Sequence, residues 1–175
     1  MRVAVVDLGT NSTRLLVADV DGEHIEEVSR RTAITRLGES VDERRKLLPL
    51  PVARVRNVLS DYRRELEGLG AERVLTIGTS AVRDAENGEA FLGEIEWSYG
   101  FATRLLSGEE EAELTRRGVA NGRRVGDGTL VLDVGGGSTE LITASARTSL
   151  DVGSVRLTER HLRSDPPRRE ELDAA

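Results

Sequence analysis

Asp133, Val134, Gly135, Gly136, Gly137, Ser138 and Thr139 follow one another in the chain, and together they have the chemistry of an anion cradle. Three consecutive glycines leave the backbone unobstructed, so successive N–H groups can turn into one concavity and meet phosphate oxygens without side-chain bulk. The hydroxyls of Ser138 and Thr139 add donors. Asp133 ends an apolar run, where a carboxylate can hold Mg2+ directly or through water. Glu140 follows, and strand alternation puts it on the same face as Ser138. The Gly-Lys-Ser/Thr ending of a Walker loop is missing. Taken alone, these residues could also be a Gly-rich hairpin turn with no ligand.

The pattern occurs twice. Residues 4–18 read AVVDLGTNSTRLLVA and residues 130–144 read LVLDVGGGSTELITA. At an offset of 126, six of fifteen positions agree: Asp7 with Asp133, Gly9 with Gly135, Ser12 with Ser138, Thr13 with Thr139, Leu15 with Leu141 and Ala18 with Ala144. Unrelated segments should agree at roughly one. In the first copy Gly9 frees the backbone, Thr10, Asn11 and Ser12 supply donors, and Asp7 shares a metal or holds a water. Two such hairpins facing each other would grip one phosphate chain from both sides.

Composition narrows the chemistry. The 175 residues contain no Cys, which excludes a disulfide, a thiolate metal site and a cysteine nucleophile. His24 and His161 are isolated, so no zinc spacing exists. The net charge of −6 argues against a general nucleic-acid surface. Lys46 is the only lysine among 25 basic residues. The stretches Arg30-Arg31 and Arg44-Arg45-Lys46 read first as solvated surface, and second as guides for a polyanion. No apolar run reaches the roughly 20 residues of a membrane span, and Val3 to Val6 is too short for a signal peptide core. The cytoplasm is the default location.

The elements that must position these residues follow from periodicity. Residues 2–7 are a buried strand by their unbroken Val/Ala run, 14–20 a second, and 23–31 a third after a tight turn at Asp21-Gly22. The segment 32–50 reads as irregular. Residues 51–68 form an amphipathic helix through Val52, Val55, Val58, Leu59, Tyr62 and Leu66, ended by Gly68 and Gly70. A strand starts at Arg73 and leads into a second helical stretch. Residues 87–97 form a helix with Asn87 as N-cap, and 101–106 a strand. Ser107, with Glu110 three residues on, starts a helix over 108–120 in capping-box form. Gly122, Gly126 and Gly128 make a hinge-like connection. The second copy follows, then a strand at 148–153 and a helix at 155–163.

This βββαβα order, followed by a new βββ start, describes an α/β ribonuclease H-like unit of the actin, Hsp70 and sugar-kinase superfamily, with a second duplicated unit only begun. The division expected is 1–126 for the first unit and 127–175 for the incomplete second. Some 45 residues after 130 cannot supply a full partner to the first 126, so the chain reads as a fragment, or a natural truncation, of a longer protein.

Four segments in order resemble the exopolyphosphatase and guanosine pentaphosphate phosphatase (Ppx/GppA) family, in its N-terminal portion. VVDLGTNSTRLLVA is similar to its first phosphate motif. Gly78 to Ala85 resembles its GT-x-x-x-R segment, Leu106 to Ala112 its SG-x-EEA segment, and Leu132 to Glu140 its DIGGGSTE motif. The resemblance implies that Glu111 is the base that activates water, that Glu140 lies near metal or water, and that Arg83 is a cation beside phosphate oxygens. It implies a hydrolase that uses Mg2+ or another divalent cation and releases the terminal phosphate of polyphosphate or the 5′ phosphate of guanosine pentaphosphate. A homodimer would be in keeping with it. The sequence leaves open which of the two substrates is preferred. Two other classes stand beside this one: an ATP-dependent phosphotransferase on the same fold, and a non-catalytic phosphate or nucleotide sensor.

Overall fold

The computed structural model describes residues 1–121 and 125–175; Gly122, expected in the inter-unit connection, lies outside the described residues. The chain forms two compact units, Met1–Leu105 and Leu106–Ala175.

The first unit is a five-stranded sheet. Strands β1 (Arg2–Leu8), β2 (Ser12–Asp21) and β3 (His24–Ile34) form an antiparallel meander, and β4 (Arg73–Gly78) and β5 (Ala102–Leu105) extend it in parallel, in the order β3-β2-β1-β4-β5. This is the ribonuclease H-like topology. The turn after β2 falls one residue later than expected: Asp21 stands opposite His24, and Gly22, at φ +58°, and Glu23 make the loop. One face carries Ala4, Val6, Leu8, Leu15 and Val17, all buried. Against the core formed there pack α2 (Pro49–Leu69), through Val52, Val55, Leu59, Tyr62 and Leu66, and α4 (Gly88–Tyr99), through Phe91, Leu92 and Ile95. The segment expected as irregular holds the end of β3, the short α1 (Val41–Arg44) and the first turn of α2, where Pro49 suits a helix start that needs no N–H. Gly70 ends α2 with φ +69°, a conformation that favours glycine.

Asn87 sits before α4, but its side chain does not cap the helix. Its amide instead meets the backbone of Leu47 twice: Oδ1 accepts from the N–H at 2.8 Å, and Nδ2 donates to the carbonyl at 3.0 Å. A bidentate match to one distant residue fixes the loop before α2, and the cap expectation gives way to it.

The second unit begins with α5 (Gly108–Ala120). Strands β6 (Val131–Val134), β7 (Thr139–Ile142) and β8 (Arg147–Leu150) form an antiparallel meander, followed by α6 (Ser154–His161) and α7 (Arg169–Ala174). Because α5 packs on β7 and β8, the compact units divide between Leu105 and Leu106. The division expected at 126 marks instead where the sequence pattern restarts. The repeat mates of Ala4, Val6 and Leu8 are Leu130, Leu132 and Val134. The first three are at most 2% exposed, the second three at least 56%. Equal sequence positions therefore face a core in one unit and open surface in the other.

Candidate active site

Both glycine loops close with the same bond. The N–H of Gly9 donates to the Ser12 carbonyl at 3.0 Å, and the N–H of Gly135 to the Ser138 carbonyl at 2.9 Å. A Cβ at either glycine would lie 3.0 Å from that carbonyl oxygen, tighter than a Cβ ordinarily comes, which favours glycine at this place in each loop.

In the second loop the carbonyls are spoken for by α6. Gly135 O accepts from Ser154 N at 3.0 Å and Ser154 Oγ at 3.3 Å; Gly136 O accepts from Val155 N at 2.9 Å and Arg156 N at 3.1 Å. Gly137 O accepts from Arg156 Nε at 2.8 Å. In a trans peptide the C=O of one residue and the N–H of the next point in opposite directions. Holding the carbonyls of Gly135, Gly136 and Gly137 against α6 therefore turns the N–H groups of Gly136, Gly137 and Ser138 the other way, as a cradle for an anion requires. The contact is close: a Cβ at Gly153 would meet the Gly136 carbonyl and lie 2.6 Å from Gly137 N.

The first loop follows the same logic within its own unit. Thr10 O accepts from Gly38 N at 2.8 Å, and Asn11 O from Thr35 N at 3.1 Å and Arg36 N at 2.9 Å. These bonds direct the N–H groups of Asn11 and Ser12 away from the 35–38 segment. Thr10 and Ser12 are buried and Asn11 is exposed. Asp7, on β1 just before the loop, faces Arg14 across the β1–β2 ladder. Thr79 Oγ1 donates to Leu8 O at 3.4 Å, which ties the end of β4 to the end of β1. Arg83 lies on α3 (Ser80–Asp84), which starts just beyond that tie.

Three carboxylates of the second unit come to one side of its sheet. Asp133 and Glu140 stand directly opposite each other in the β6–β7 register, and Ser149 stands opposite Glu140 on β8. Glu140 is 1% exposed, and its Oε1 accepts from Ser149 Oγ at 2.7 Å. Asp133 Oδ2 accepts from Thr115 Oγ1 on α5 at 3.2 Å. Gly108, at the start of α5, sits over Ser149: a Cβ there would lie 2.6 Å from that of Ser149. Glu111 falls between Gly108 and Thr115 on the helix, three residues after one contact and four before the other, which is the spacing of a single helix face. Beside it, Ala112 is fully buried.

Two other acids of α5, Glu110 and Glu113, have structural work. Ser107 Oγ accepts from Glu110 N at 3.2 Å, and Glu110 Oε2 accepts from Ser107 N at 2.9 Å, so the capping box is formed. Glu113 accepts from Arg116, Arg117 and Arg147, and the Arg116 and Arg117 guanidiniums hold its carboxyl down to about 2. The basic stretches behave as surface: Arg30 pairs with Glu27, Arg31 with Glu65, and Lys46 with Glu86.

Two carboxylates and neighbouring hydroxyls, beside a glycine loop whose N–H groups turn outward, are a donor set that suits Mg2+, which keeps several waters and takes one or two carboxylates plus substrate phosphate. Among the described residues, no three His, Cys, Asp or Glu side chains gather as a metal-holding group, so an all-protein cage is not the form of this site. Sequence reasoning missed Arg156. It is 7% exposed, and its sequence offers only a place early in the predicted helix at 155–163, which does not single it out.

The Ppx/GppA phosphatase family profile matches residues 16–175, and the chain belongs to that family. It is 43% identical over 189 residues to Exopolyphosphatase 2 of Mycobacterium tuberculosis, covering 99% of this chain and 59% of that protein. It is 35% identical over 178 residues to the guanosine-5′-triphosphate,3′-diphosphate pyrophosphatase of Photobacterium profundum, covering 98% of this chain and 36% of that protein. Among solved structures, an exopolyphosphatase from Cytophaga hutchinsonii superposes with a TM-score of 0.90 at 28% identity, covering 98% of this chain and 57% of that one. The chain thus spans a third to three fifths of these relatives' lengths. No helix among the described residues is long and apolar enough to cross a membrane.

Proposed function

We propose that the protein is a phosphohydrolase that uses a divalent cation, Mg2+ by preference, to release the terminal phosphate of polyphosphate or the 5′ phosphate of guanosine pentaphosphate. The observation that carries the reading lies within the second unit: the cradle at 135–138 and the carboxylates Asp133 and Glu140 share one hairpin, beneath the face of α5 that bears Glu111.

The N–H groups of Gly136, Gly137 and Ser138, with the Ser138 and Thr139 hydroxyls, take phosphate oxygens. Phosphoryl transfer makes little covalent demand on a protein, so positioning and charge stabilisation supply most of the rate. Asp133 and Glu140 hold the cation, which neutralises charge on the phosphate oxygens when bound. Glu111 accepts a proton from the attacking water, so water attacks phosphorus directly and the leaving phosphate departs opposite. General-base help of this kind is worth about 10²–10⁴ in rate. In the first unit Gly9, Thr10, Asn11, Ser12 and Arg83 offer further phosphate contacts, and Asp7 a place for water or metal. The relatives' names point to polyphosphate and guanosine pentaphosphate as the substrates to try first.

The test is phosphate release with Mg2+ from long-chain polyphosphate, guanosine pentaphosphate and ATP. It is run on this chain and on the chain extended to the length of the relatives it matches, each beside Glu111→Gln. Release that Glu111→Gln lowers by about 10²-fold or more supports the reading. Binding without release by the extended form contradicts it and leaves a sensor.

A further inference from the structure

Resting on that reading of the second loop, we propose that Arg156 is a positioning residue for the phosphate cradle, acting on the Ser138 N–H through the single peptide group that joins Gly137 to Ser138.

Arg156 Nε donates to Gly137 O at 2.8 Å. The peptide that carries this carbonyl carries the Ser138 N–H at its other end, pointing away from α6. Fixing one end fixes the aim of the other. A cation on the carbonyl side also polarises the peptide, and hydrogen bonds in series strengthen one another. The Ser138 N–H is thereby both aimed and strengthened as a donor, while the arginine itself stays behind the loop.

Three observations bear on this. Arg156 is a buried residue, at 7% exposure, and an arginine is seldom buried without a task that uses its charge. The rest of the glycine run is braced by the backbone of α6's first turn: Ser154 N, Val155 N and Arg156 N reach the carbonyls of Gly135 and Gly136. At Gly135 the Ser154 hydroxyl adds to a bond the backbone already makes, whereas at Gly137 the donor is the Arg156 side chain, so the cradle's last peptide depends on residue type more than the others do. Gly153 allows the approach, since a Cβ there would lie 2.6 Å from Gly137 N.

The first loop has a different brace. Backbone N–H groups of Thr35, Arg36 and Gly38 hold the Thr10 and Asn11 carbonyls. An effect of Arg156 on loop geometry should therefore appear in the second loop and not in the first.

The experiment records amide 15N–1H spectra of the full chain as wild type, Arg156→Met and Arg156→Lys, free and titrated with tripolyphosphate in Mg2+. In the free protein, Arg156→Met should move or broaden the Ser138 amide more than those of Gly136 and Gly137, and leave Gly9 and Asn11 in place. Tripolyphosphate affinity should fall about 10-fold, the low end for residues that orient a ligating group from behind. Arg156→Lys, which keeps a charge and a donor, should recover part of both. If Arg156→Met fails to fold, Arg156→Lys carries the test through the same Ser138 shift. A Ser138 amide unchanged by either folded variant, or shifts spread equally over both loops, would overturn the proposal. If instead the wild-type loop amides ignore tripolyphosphate, the phosphate-site reading fails, while the free-protein shifts still judge Arg156.

Discussion

Asp133 and Glu140 stand opposite each other across the β6–β7 ladder, whereas their repeat mates in the first unit, Asp7 and Arg14, set a carboxylate against a guanidinium. The duplicated hairpin thus keeps its Asp and its turn but reverses the charge across the strand. Opposite charges in such a pair stabilise a sheet, and like charges directly opposite oppose it. The second hairpin is the one whose charges call for an added cation, and this asymmetry is why the proposed Mg2+ site is placed there.

Excess Mg2+ should therefore raise the thermal midpoint of the wild type, because a ligand that binds only the folded state stabilises it by mass action. Asp133→Asn should abolish most of that rise and leave stability without Mg2+ unchanged or slightly higher. Differential scanning fluorimetry with and without Mg2+ checks this. An equal rise in wild type and Asp133→Asn would move the cation elsewhere.

Leu8 and Val134 occupy the same place in the repeat, at 0% and 61% exposure. Leu8→Ala should cost about 2–5 kcal/mol, as buried leucine truncations do. Val134→Ala should stay within about 0.5 kcal/mol. Urea midpoints of the two variants decide whether the open face of the second sheet is open in solution. A cost at Val134 near that at Leu8 would mean that something covers it.

Arg116 and Arg117 hold the Glu113 carboxyl down to about 2 from its ordinary 4.5. A group whose folded value lies below its unfolded value contributes stability that is present above the unfolded value and lost as pH falls through the folded one. Glu113's contribution should thus be whole above about pH 5 and fade between about 4.5 and 2. Glu113→Gln should flatten that part of a urea-midpoint profile from pH 2 to 7 and change nothing above it. Because its ion pairs lie at the surface, with the Arg117 side chain exposed, high salt should shrink the difference.

Features set by local rules were legible in the sequence. The α2 stripe from Val52 to Leu66, the Ser107–Glu110 capping box and the doubled Asp-x-Gly hairpin depend on residues a few positions apart, and the structure has each of them. What escaped depends on distant partners. Asn87 reads as a cap, yet Leu47, forty residues away, takes its amide. Arg156 reads as one more helix residue until Gly137 O appears beside it. Four glutamates in α5 look alike in sequence. Ser107 selects Glu110, a trio of arginines selects Glu113, and the contacts of Gly108 and Thr115 put Glu111 on the side of Asp133 and Glu140. Burial at Leu132 and Val134 could not be read at all, because an apolar strand residue is buried only where another element arrives to cover it.

The most direct test of the central claim, that the turned-out N–H groups of the second glycine loop bind phosphate, is an amide NMR titration of the wild-type chain with tripolyphosphate in Mg2+. The account predicts that Gly136, Gly137 and Ser138 shift together and saturate at one affinity, while Gly93 and Gly118, on the helices α4 and α5, stay still. Binding that leaves those three amides unmoved, or no binding by the folded chain, would contradict it.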